Sequence, residues 1–124
     1  METIALEEAV YTAMAGDMSL VALLPNGEES IFHLQAPSDT VTRYPVIVYS
    51  PISDVPALSV DDFEAAHRVT IRLHVLTRDG QYSAIQRHIH RIMQELGFVR
   101  VQTMPYREDG EIVLITDYRI GVTS

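Results

Sequence analysis

The residues able to do reaction chemistry in this sequence are five histidines, the carboxylates and the serines, because it contains no cysteine. Thiolate nucleophiles and disulfides are thereby excluded. The densest cluster is Arg87-His88-Ile89-His90-Arg91-Ile92. On a helix His88 and His90 would point about 200° apart. A helical metal pair needs i, i+4 spacing, as in HExxH, and that motif is absent. The cluster therefore reads as an exposed helix face beside an isoleucine stripe. Asp61, Asp62 and Glu64 could hold a hard cation, but they lack the periodic oxygen ligands of a calcium loop. His33 and His67 stand alone in the sequence, and His74 alternates with Arg72 on an outward strand face. GxSxG, GxGxxG and phosphate-cradling glycine loops are absent. Tyr44, Tyr49 and Tyr106 lack the neighbouring basic stripes that base stacking uses. The reading is of no catalytic, cofactor-binding or metal-binding residue.

The elements that would position these groups follow from periodicity. Thr3 can cap a helix whose apolar residues Leu6, Ala9, Val10, Ala13 and Met14 repeat at helical spacing. Gly16 ends it, and Asp17 can cap a short helical piece over residues 18–24, stopped by Pro25-Asn26-Gly27. Residues 30–34 read as a short strand. Residues 45–52, PVIVYSPI, read as a β-rich run confined by two prolines to an edge or an interrupted strand. Residues 68–77, RVTIRLHVLT, alternate cleanly: Val69, Ile71, Leu73 and Val75 on one face, Arg68, Thr70, Arg72 and His74 on the other. Residues 81–96 carry an apolar stripe of Tyr82, Ile85, Ile89, Ile92, Met93 and Leu96, and Gly97 stops the helix. Two strands, 98–106 and 111–122, are joined at Glu108-Asp109-Gly110, a strong hairpin signal. Helices on one face of a mainly antiparallel sheet make an α+β two-layer sandwich. At 124 residues the expectation is a single domain, 1–124.

Residues 52–67 remain as a long segment between two strands, with four acids and no basic residue, and they read as a projecting loop. They belong to a wider asymmetry. Residues 1–64 carry a net charge of −10 and residues 65–124 a net charge of +2, within an overall −8. That balance argues against a nucleic-acid grip, which needs a basic patch. It also lets one face of the molecule attract another face of a neighbour. All nine basic residues are arginine. No apolar run reaches the roughly 18 residues of a membrane span, and METIALEEAV lacks the basic and apolar regions of a signal peptide.

Several local phrases resemble one family. The helix LEEAVYTAMAGD, then SLVALLPNG and IFHLQAP, then YPVIVYSPISDVPAL, RVTIRLHVLTRDG and the helix AIQRHIHRIMQEL, resemble tail-completion or tail-terminator proteins of long-tailed bacteriophages and prophages. The likeness runs over nearly the whole chain, with the closing hairpin its least distinctive part. It implies an α+β fold and a non-enzymatic virion protein without cofactor. It implies a ring, expected to be six-fold, at the head-proximal end of the tail tube, assembled in the host cytoplasm. The partners would be like copies, the tail tube protein and the head connector or stopper protein, with DNA only as passing cargo. In such a ring Asp54, Asp61, Asp62 and Glu64 would line the channel or meet Arg68, Arg72 or His74 of an adjacent copy. Rival readings are another connector component, a dimeric binding module pairing edge strands, or a small α+β enzyme.

Overall fold

The computed structural model describes residues 3–37, 43–60 and 63–123. Helix α1, Thr3–Ala15, buries Leu6, Val10 and Met14, one residue per turn. Thr3 does not stand ahead of the helix as a cap: it is the first helical residue, and its hydroxyl donates to Asp54 Oδ2 at 2.5 Å. At Gly16 the backbone turns so closely that a Cβ there would lie 3.1 Å from the Thr12 carbonyl oxygen. Asp17 then caps α2, Met18–Val21, its Oδ1 accepting from the Leu20 N–H at 3.0 Å. A 3₁₀ turn, Gly27–Ser30, leads into β1, Ile31–His33.

The remaining elements are β2, Val46–Val60; β3, Phe63–Thr77; α3, Ser83–Glu95; β4, Val99–Glu108; and β5, Glu111–Thr123. They form one five-stranded sheet in the order β1-β2-β3-β5-β4, antiparallel except for the short β1–β2 pairing. The turn between β4 and β5 has Asp109 at φ 47° and Gly110 at φ 80°. Two consecutive positive φ angles suit the twist of a two-residue hairpin, which is why Asp-Gly sits there. Helix α3 buries Ile85, Ile89, Ile92 and Met93, and Gly97 follows it at φ 97°.

One face of the sheet meets the helices. Ile47, Tyr49, Val69, Ile71, Leu73, Val75, Leu114 and Tyr118 pack in one cluster with Leu6, Val10, Met14, Leu20 and the α3 stripe. Each fully buried aliphatic side chain contributes about 1.5–3 kcal/mol relative to exposure. The expected α+β two-layer sandwich is what forms.

The expected loop over residues 52–67 does not. β2 runs on to Val60 and β3 begins at Phe63, so most of the segment is a long two-stranded arm. Its pairing is irregular between Pro51 and Ser53, between Pro56 and Leu58, and between Leu58 and Ser59. β1 covers β2 only at Ile47, Val48 and Tyr49. Beyond that, among the described residues, the outer side of β2 has no partner strand. A free edge tolerates prolines and bulges that an interior strand would reject. That is how Pro51 and Pro56 stay inside a strand, while Pro45 lies just ahead of it.

Candidate functional site

The residues expected to join copies fall on both faces of the sheet. On β3, Arg68, Arg72 and His74 lie on the sheet face opposite the helices, while Asp54, across from Val69, lies on the helical face. Asp61 and Asp62 lie outside the described residues, and Glu64 stands in β3 opposite Ser59.

Arg68 is exposed, whereas Arg72 is occupied within its own chain. Its Nε donates to Asp117 Oδ1 at 2.8 Å and its Nη2 to Oδ2 at 3.0 Å, a two-pronged pair across β3 and β5. Gln102 on β4 adds a third bond to Asp117 Oδ2 at 2.6 Å. Asp117 is 2% exposed. The Arg72 guanidinium, ahead of the Gln102 bond, holds the Asp117 carboxyl below the usual carboxylate range against the opposing cost of burial. His74, one pleat further along β3, sits in a row with Val48, Ile115 and Met104. Burial first, and then the Arg72 charge, push its pKa down, and its Nδ1 has no hydrogen-bond partner among the described residues.

The histidines that stood alone in the sequence are partnered in space. His67 is buried, with Nδ1 2.6 Å from Asp54 Oδ1. Thr3 and His67 together hold the Asp54 carboxyl low. His33 Nε2 contacts Glu7 Oε1, bringing β1 against α1. Partners 13 and 26 residues distant leave no local signal, so these pairs escaped sequence reading. The helix histidines also have partners, one local and one distant. Arg91 Nη2 lies 3.3 Å from His88 Nδ1, and His90 Nδ1 lies 3.2 Å from the Tyr118 hydroxyl. Among the described residues no three His, Asp or Glu side chains gather around a point where a metal could bind.

Two clefts open in the helical layer. One, of about 570 Å³, lies between α1 and the β1–β2 edge, lined by Glu7, Glu8, Tyr11, His33 and Tyr49 with Ile4 and Thr12. The other, of about 430 Å³, lies between α3 and strands β4 and β5, lined by Gln86, Arg87, His90 and Arg100 with Tyr82, Ser83 and Leu114. Below it Tyr118, fully buried, accepts from Gln86 Nε2 at 3.0 Å. One cleft is acidic and aromatic, the other basic.

The profile of the family described as tail completion protein gp17 matches residues 8–112. The chain belongs to that family. It is a structural protein of a bacteriophage-type tail, as the likeness in the sequence implied. A search of curated proteins finds no match. Among solved structures, a chain described as "Virion of native gene transfer agent (GTA) particle" superposes with a TM-score of 0.69 at 14% identity, covering 100% of both chains. At that identity the likeness speaks for the fold. The two-layer sandwich is the frame on which the two clefts and the β2–β3 arm are carried, and no described helix is long and apolar enough to cross a membrane.

Proposed function

We propose that this tail-completion protein caps the head-proximal end of the tail tube as a ring of like copies, six in number. The ring ends tube polymerisation and offers its other surface to the head connector or stopper protein. The observation carrying this reading is the family match over residues 8–112. The β2–β3 arm supports it. Among the described side chains of residues 50–58 and 65–68 none belongs to the hydrophobic core cluster, and Ile52, Val55 and Leu58 are exposed along the arm. A fold that devotes strands to an arm without core duties has a surface free for a neighbour. In the proposed ring, Asp61, Asp62 and Glu64 with Arg68 meet the adjacent copy or face the channel, where carboxylates repel passing DNA. Asp54, Arg72 and His74 act within the protomer, orienting the arm and bracing the sheet.

Native mass spectrometry across a wide concentration range, with negative-stain imaging of the chain alone and with purified tail tubes, tests the proposal. The expected result is a closed six-copy ring, alone or nucleated on one tube end, with tube growth arrested. A chain that stays monomeric or dimeric with tubes present, and leaves their growth unchanged, sinks the reading.

A further inference from the structure

The two clefts occupy opposite sides of the same layer. The acidic cleft lies over β1 and β2, the basic one over β5 and β4, and β3 separates them in the sheet. In the acidic cleft Glu7 and Glu8 stand beside three rings. Tyr11 and Tyr49 have centroids 6.1 Å apart, and His33 and Tyr49 have centroids 5.1 Å apart. Burial and then the Glu7 charge raise the Tyr49 phenol, so it stays neutral there. Carboxylates to accept N–H bonds and ring faces to stack on suit a planar guanidinium. The nine permanently charged cationic side chains of the sequence are all arginine.

Among the described residues that line the basic cleft there is no carboxylate. Arg87 on α3 and Arg100 on β4 are both exposed there, and Arg100 reaches Thr103 Oγ1 at 3.2 Å. Arg91, on the next turn of α3, is instead bound to Asp17 at 2.7 Å and to Glu95 at 3.5 Å within the protomer. Complementary features on opposite sides of one molecule make a heterologous contact, which repeats from copy to copy and closes into a ring when the rotation allows.

We infer that the acidic aromatic cleft of one copy receives Arg87 from the basic side of the next copy, with Arg100 alongside. This rests on the ring reading and deepens it by naming the surfaces that join. Arginine packed against tyrosine rings and paired with carboxylates is a typical centre of interface affinity.

Glu8→Arg and Arg87→Glu test the inference, because both positions are exposed and neither residue belongs to the core cluster. Circular dichroism and thermal melting establish that each variant folds. Each alone then places like charges across every joint, and the ring population in native mass spectrometry should fall at least about tenfold. An equimolar mixture should recover it, since alternating copies put opposite charges across each joint of an even-membered ring. A variant that assembles like the wild type overturns the inference, and so does a mixture of folded variants that fails to recover. In either case a wild-type ring that still caps tubes leaves the proposed function standing. A wild-type chain that never assembles, even on tubes, overturns both.

Discussion

Arg72 and Asp117, 45 residues apart in sequence, are directly opposite one another on β3 and β5 and share two hydrogen bonds, of 2.8 and 3.0 Å. The pair fastens the middle of the sheet on the side away from the helices. Gln102 extends the row to β4, so three strands are tied by one carboxylate.

Removing Arg72 leaves that carboxylate buried with Gln102 as its remaining hydrogen-bond partner among the described residues. Breaking a buried pair costs about 3–5 kcal/mol, and the 30% exposure of the Arg72 side chain reduces this to about 2–4 kcal/mol for Arg72→Ala. Urea denaturation of Arg72→Ala, Asp117→Ala and the double variant would give the coupling directly. A coupling under about 0.5 kcal/mol would mark the pair as no stronger than an ordinary surface ion pair.

His74 should make stability depend on pH in a range where carboxylates do not titrate. Its folded pKa lies below the usual 6.5, through burial and then the Arg72 charge. The unfolded chain therefore takes up a proton that the folded protein resists. Stability from this source is complete above about pH 6.5 and declines as the pH falls below it. Asp17, Asp54 and Asp117 have depressed pKa values. Their contribution is present above about pH 4 and is lost on further acidification. His74→Leu should flatten the first decline and leave the second. Unfolding free energies at pH 7.5, 6.5 and 5.5 decide the matter, and equal slopes for wild type and variant would refute it.

The β2–β3 arm should be dispensable for folding and required for assembly. Pro56 and His67 are directly paired, so residues 57–66 can be replaced by Asn-Gly, a two-residue hairpin turn. No core-cluster residue falls among the described side chains removed, and the melting temperature should stay within a few degrees of the wild type. Ring formation and tube capping should be lost. A shortened chain that still caps tubes shows that the arm takes no part in the ring.

Tyr118 is the one fully buried tyrosine, and its hydroxyl joins β5 to α3 through Gln86 and His90. Tyr118→Phe removes both bonds while keeping the ring in place, at a cost of about 1–3 kcal/mol from the groups left without a partner. Gln86 Oε1 already lacks one, so this site has little room to compensate. A loss under about 0.5 kcal/mol, measured by chemical denaturation, would mean that water replaces the hydroxyl.

Much of the fold is legible because its signals are local. The stripe Ile85, Ile89, Ile92 and Met93 lies on one side of a helix by its spacing alone, and the structure buries all four. Val69, Ile71, Leu73 and Val75 alternate, and each is fully buried. Asp109-Gly110 supports the positive φ angles its hairpin needs. Residues 52–60 carry no such signal. They contain proline, lack alternation and become a strand because β3 is there to pair with them. Arg72 likewise looks like any outward strand residue until β5 places Asp117 across from it.

Composition and short-range periodicity alone thus determined the element types, the two-layer α+β arrangement and the absence of cysteine chemistry, because each depends on residues within a few positions of one another. The extent of the arm, the partners of His33, His67 and Arg72, and the two clefts of opposite charge were left to long-range packing. Their groups meet only when strands and helices far apart in the chain are brought together by burial of the common core.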